Sequence, residues 1–205
     1  PDVSLDEFPV WSPDGKQVAF IRKPGTKVDE LSDITGGIKF SIWVADAETG
    51  KAVSIWKSTV DDGGFSQYYP NTPLAWTSTG RILFFSEHIG WNHLFSITPS
   101  GGDLKDLTPG NGEVENYIVD ATGKFIYFDG NREDIDRRHI WKIEVTGGNP
   151  VAVTRGEGIE MYPALAGNVL YAFRSTTNSS KTLVRIDETI KSMVPVYGQK
   201  LTTFA

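Results

Sequence analysis

The chain has 205 residues, of which 39% are hydrophobic and 22% charged, with 26 acidic against 20 basic side chains and a net charge of −6. That balance argues against a general nucleic-acid-binding surface, and no apolar run approaches the roughly 20 residues of a membrane-spanning helix. The absence of cysteine excludes disulfides and Cys-based metal sites and leaves the compartment open.

The chain opens on Pro1 with no signal-peptide pattern, which predicts a processed product or a piece of something longer. The first elements are short and strand-like: "FPVW" (8–11), a polar turn with Gly15, and "QVAFI" (17–21). "SIWVAD" (41–46) and "AVSIW" (52–56) follow, joined by a turn with Gly50. "WSPDGKQVAF" (11–20) then returns as "WTSTGRILFF" (76–85), as "VDATGKFIYF" (119–128) and, more weakly, as "ALAGNVLYAF" (164–173). The aligned glycines are Gly15, Gly80, Gly123 and Gly167, spaced 65, 43 and 44 residues apart.

Each copy is followed by a second hairpin pattern: 41–55, 93–108, 139–154 and 182–196. Three of its turns carry glycine (Gly50, Gly101–Gly102, Gly147–Gly148), which supplies the positive φ of a tight hairpin, and the fourth, "DETIK", departs from this. Two hairpins per unit make four strands, a, b, c and d, in roughly 43–50 residues, the length of a β-propeller blade. Helical periodicity is nowhere sustained. The expected fold is all-β: a β-propeller region over 1–205 with four four-stranded blade repeats at about 6–58, 70–110, 114–156 and 160–198.

Four blades predict either a closed four-blade ring or an arc of a larger propeller. An arc would leave apolar blade faces and edges to be covered by the rest of a parent chain or by a second copy in a homodimer. Aromatics at the strand ends are expected to pack between blades, with Trp11 filling such a seam.

In a four-stranded meander the a–b and c–d turns share one end and the b–c and d–a connections the other. The long connections are 22–39, 58–72 and 129–138, all at the second end, so binding is expected there. "SEHIGWNH" (86–93) and "DGNREDIDRR" (129–138) carry the candidate substrate- or partner-binding residues Glu87, His88, Arg132, Asp134, Arg137 and Arg138. An Arg or Glu among them can grip the charged end of a peptide, whereas local pairing would leave them as a solvated face. Trp91 is expected to pack under its turn and His93 to hydrogen-bond a neighbouring strand.

Other chemistry is missing from the sequence. "GFSQY" (64–68) lacks the final glycine of a nucleophile elbow, G-x-S-x-G. His88, His93 and His139 match no H-E-x-x-H pattern, and the last two occupy equivalent starts of strand c, so no metal is expected. "DGNREDID" fails as a calcium loop, with Asp134 at the sixth position and Ile140 at the twelfth. There is no phosphate-binding Gly-rich loop, and no cofactor is expected. "NSS" at Asn178 is a glycosylation sequon.

"WSPDGKQVAF" resembles the propeller repeat of TolB-like proteins and of the prolyl oligopeptidase family of serine peptidases. More narrowly, "LFFSEHIGWNHLFSITPSGGDLKDLTPG" (83–110) with "GNGEV" (110–114), and "GNREDIDRRHIWKIEVTGGNPVAVTRGEGIE" (130–160), resemble the dipeptidyl-peptidase-IV-like branch. The resemblance spans essentially the whole chain, most specifically 75–160. It implies a parent with an N-terminal propeller and a C-terminal α/β-hydrolase domain bearing Ser, Asp and His, the propeller filtering peptide substrates. The hydrolase domain is absent from this chain, and the paired glutamates that hold a substrate amine have no match: there is no Y-x-E-E segment, and "VDEL" and "NREDI" are not substitutes. This chain alone is therefore expected to be inactive, a non-catalytic partner of a hydrolase domain that gates a peptide substrate. The alternative is a stand-alone TolB-like propeller binding a protein or small ligand. A propeller lyase or glycosidase finds no paired carboxylates or His cluster here. The resemblance slightly favours a periplasmic or secreted location.

Overall fold

A computed structural model describes residues 4–25, 39–58, 72–189 and 191–196. Sixteen strands and no helix appear among them. The first sheet is β1 (Ser4–Trp11), β2 (Gln17–Pro24), β3 (Ser41–Asp46) and β4 (Ala52–Lys57). The second is β5 (Leu74–Trp76), β6 (Ile82–Ser86), β7 (His93–Ile97) and β8 (Lys105–Asp106). The third is β9 (Val114–Val119), β10 (Phe125–Gly130), β11 (His139–Glu144) and β12 (Val151–Ala152). The fourth is β13 (Ile159–Ala166), β14 (Val169–Thr176), β15 (Ser179–Asp187) and β16 (Ser192–Pro195). Each sheet is an antiparallel meander with its strands in chain order, the blade of a β-propeller.

The recurring glycine does the same work at three a–b turns. The N–H of Gly15 donates to Ser12 O, that of Gly80 to Thr77 O and that of Gly123 to Asp120 O, each at 2.9 Å, with φ of 70°, 85° and 70°. The side-chain oxygen three residues before each glycine closes the turn by accepting a backbone N–H: Ser12 Oγ from Gln17, Thr77 Oγ1 from Arg81, Asp120 Oδ1 from Phe125. A small oxygen-bearing residue and a glycine three positions on are thus the local code for the turn. In the fourth c–d turn, Lys191 takes the left-handed conformation (φ 51°) that glycine supplies elsewhere.

The chain divides into two compact units. The first holds the first two sheets. Alternate residues of β2 and β3 (Ala19, Ile21, Ile42, Val44) pack with Leu74, Ile82, Phe84 and Phe95 into one core, with Trp56 and Trp76 against it. Trp56 lies 4.7 Å from Phe84 and 5.0 Å from Phe40, ring centre to ring centre. β6 and β7 are buried at every position and accordingly read as nearly unbroken apolar runs. The second unit packs the third sheet on the fourth through Tyr127, Ile140, Val153, Leu170, Ala172, Val184 and Ile186.

Among the described residues Trp11 fills no seam. It is 61% exposed, because Val10 packs into the first unit's core and the pleat turns the next side chain to the opposite face.

Candidate functional site

Meander topology places the b–c connection of each sheet opposite its two hairpin turns. Among the three long connections, 129–138 is fully described; most of 22–39 and of 58–72, with "VDEL", "GFSQY" and the C-terminal tail, lies outside the described residues.

In the second unit the loop after β10 is built from two successive turns. Asn131 anchors it, accepting Glu113 N–H at Oδ1 (2.6 Å) and donating its own N–H to Glu113 O (3.3 Å). Asp134 N–H then donates to Asn131 O, and Arg137 N–H to Asp134 O, each at 3.2 Å. Glu133 takes a left-handed φ of 67° between the two. Arg132 lies 5.7 Å over the Trp141 ring, and the backbone at Gly112 runs so close to it that an added Cβ would stand 3.0 Å from Arg132 Cα. Asp134 and Arg137 pair at 2.8 Å, which lowers the Asp134 carboxyl and raises the guanidinium. Arg138 pairs through Nε with Glu115 Oε1 at 2.7 Å. Of the expected binding residues, then, Asp134 meets Arg137 directly, while Arg138 turns to Glu115 and Arg132 to an aromatic face.

Glu87 and His88 belong to the first unit. Glu87 O accepts the N–H of Gly90 at 2.9 Å. His88 bonds Ser86 Oγ at 2.9 Å through Nδ1, and its ring packs 4.7 Å from Phe95 and 5.4 Å from Trp56. His88 is built into the packing of its seam. His93 does bond a neighbouring strand, Nδ1 to Asp106 Oδ2 of β8 at 2.9 Å, and Trp91 is half-buried. No group of three or more His, Asp or Glu that could hold a metal occurs among the described residues.

Two buried carboxylates in the second unit were not anticipated. Asp129, fully buried on β10, accepts Asn116 N–H at Oδ1 (2.8 Å) and Tyr162 N–H at Oδ2 (2.6 Å), with the Asn116 amide reaching Oδ2 at 3.0 Å. It thereby ties β9 to β13 and holds Tyr162 at a φ of 59°, which is rare for a bulky residue. Burial pushes its carboxyl up to about 6 against the pull of those three hydrogen bonds. Glu160, also fully buried, accepts from Arg174 Nε at 2.9 Å and bonds His139 Nδ1 at 2.8 Å, and its N–H donates to Arg138 O. The network therefore begins where loop 131–138 ends. Gly158 makes room for it: any Cβ there would collide with the Glu160 carboxylate and the Arg174 guanidinium.

The model of the dipeptidyl peptidase IV (DPP IV) N-terminal region matches residues 38–182. The chain belongs to that family. A relative described as a probable dipeptidyl-aminopeptidase B, from Chaetomium globosum, is 27% identical over 160 residues, covering 73% of this chain and 16% of the relative. This DPP IV N-terminal region chain thus spans about a sixth of that relative's length. Among solved structures, a putative dipeptidyl aminopeptidase IV from Bacteroides ovatus superposes with a TM-score of 0.68 at 18% identity, over 95% of this chain and 29% of the other. TolB from Acinetobacter baumannii gives 0.56 at 16% identity, over 97% and 45%. At those identities the likeness is one of fold, and the fold is the propeller that the repeats predict.

Proposed function

We propose that this chain is the propeller region of a dipeptidyl-peptidase-like serine peptidase, docking to an α/β-hydrolase domain of its parent and gating peptide access to it. The observation that carries this reading is loop 131–138 in a chain of this family. Eight consecutive residues present Arg132, Glu133, Asp134, Asp136, Arg137 and Arg138 at the b–c end of one sheet, on a frame fixed by Asn131 and Glu113. Loops on a rigid scaffold are where binding residues concentrate, and charged groups there steer and select charged partners. The family match over 38–182 favours this reading over a stand-alone binding module.

The test is made in the whole parent peptidase by replacing 131–138 with an equally long Gly-Ser segment. A chromogenic dipeptide should keep its kcat/KM within about twofold, while that of a peptide of about 30 residues changes about tenfold. Equal effects on both substrates would sink the gating role. The 205-residue chain alone should not turn over the dipeptide, and measurable hydrolysis by it would overturn its assignment as non-catalytic.

A further inference from the structure

The first and fourth sheets carry the same cross-strand pair. Asp6 faces Arg22 between β1 and β2, and Glu160 faces Arg174 between β13 and β14. The pairs sit at equivalent positions: each acid lies two residues before a left-handed aromatic-Pro step, Phe8-Pro9 at φ 54° and Tyr162-Pro163 at φ 59°. They are finished differently. Arg22 meets Asp6 fork to fork, Nε to Oδ1 at 2.6 Å and Nη2 to Oδ2 at 2.7 Å, and its guanidinium lies 4.5 Å over the Trp43 ring. The carboxylate consumes one whole edge of that guanidinium, and the indole covers a face.

Glu160 does not do the same for Arg174: its second oxygen is bonded to His139 Nδ1 instead. Arg174 is held through Nε alone, and its Nη1 and Nη2 have no hydrogen-bond partner among the described residues. Its side chain is 32% exposed, so water and solutes reach it. A buried carboxylate, a histidine and the glycine at 158 fix the Nε side of a part-exposed guanidinium whose Nη1 and Nη2 make no hydrogen bond to a described residue. This is the arrangement of a preorganised hydrogen-bond donor to a planar, two-oxygen anion.

We infer that Arg174 is the anchor for a carboxylate, that of a peptide's C-terminus or acidic side chain, with Glu160 and His139 as its positioning residues. This rests on the reading above that peptides pass this face. Glu160 already balances the charge of Arg174, so affinity is modest, and the contribution of the site is to fix where the carboxylate sits.

The test is titration of the 205-residue chain with acetate, with trialanine and with trialanine amide, following by NMR the arginine side-chain N–H signals and, in parent and variants alike, the backbone amides around 139, 160 and 174. Both acetate and the free acid should shift the Arg174 signals, and the amide should bind about tenfold more weakly, as should the free acid to Arg174→Gln. Arg22→Gln, which removes the closed pair, should bind like the parent. Should Arg174→Gln lose its dispersed spectrum, Arg174→Lys keeps the charge, loses the fork and should show the same weakening. Acid and amide binding equally, unaffected at Arg174, would overturn the anchor and leave the peptide reading standing. Acetate shifting Arg174 while neither peptide binds would keep the carboxylate site and sink the peptide reading. No response of Arg174 to any of the three would overturn the site.

Discussion

The two compact units are made of the same four-stranded repeat and close their sheet-to-sheet seams by different chemistry. In the first, Trp56, Phe40, Phe84 and Phe95 pack ring against ring, and even the polar His88 is drawn into the stack. In the second, the apolar seam is largely aliphatic and is flanked by hydrogen-bonded carboxylates, Asp129 to Tyr162 and Glu160 to His139 and Arg174. Aromatic packing gives stability chiefly through buried area, with ring geometry adding a smaller share. Buried carboxylates cost desolvation and repay it only when every oxygen is used, so they fix side chains in place. The contrast separates a seam built to hold from a seam that also positions groups.

The largest expected effect breaks the aromatic seam. Phe84 is fully buried and touches both Trp56 and Phe95, so Phe84→Ala should destabilise the first unit by about 3–5 kcal/mol. Denaturant unfolding followed by tryptophan fluorescence measures it. A loss under about 1 kcal/mol would mean that the seam does not depend on its aromatic stack.

A somewhat smaller effect probes the polar seam through pH. Asp129 titrates near 3.8 in an unfolded chain and near 6 in the fold, where burial disfavours its charge. Between those values the folded protein holds a proton that the unfolded chain has released. This residue's share of stability therefore falls as the pH rises from about 4 to about 6 and is flat above, a change on the order of 3 kcal/mol. Asp129→Asn does not titrate. The stability of the parent minus that of the variant, from urea unfolding at pH 4, 5, 6 and 7, should decline across that window. Taking the difference cancels the carboxyls held low by their partners, such as Asp6, Asp103 and Asp134. A difference that stays level or climbs would show that Asp129 is not held in a charge-hostile site.

The repeat made the aromatic seam legible in sequence and left the polar one hidden. Glycine and a small oxygen-bearing residue recur where the a–b turns need them, and alternation marks which residues of β2 and β3 face inward, so sheets and strand order follow from local chemistry. The candidate site lacks such a periodic signal. Arg137 and Arg138 stood out as a charge run, yet local carboxylates claim both. Arg174 looked ordinary inside "YAFRST", although its counterpart Arg22 follows an equivalent run, "QVAFIR". What distinguishes the two is His139, 35 residues away in sequence and on another sheet, and no local pattern encodes a partner brought in by packing.

The smallest effect concerns the two faces of β1. Val10 and Trp11 are neighbours in sequence and opposites in environment: Val10 packs on the first unit's core, while Trp11 is mostly in water. Side-chain size predicts that losing the indole costs more. Burial predicts the reverse, because free energy follows apolar area removed from water, not area possessed. Val10→Ala should cost about 1.5 kcal/mol and Trp11→Ser should stay within about 0.5 kcal/mol of the parent. Should Trp11→Ser be the costlier of the two, something covers the indole in solution. The outer face of the first sheet would then be a contact surface of the 205-residue chain itself, and its mass by light scattering would show a dimer that the variant loses.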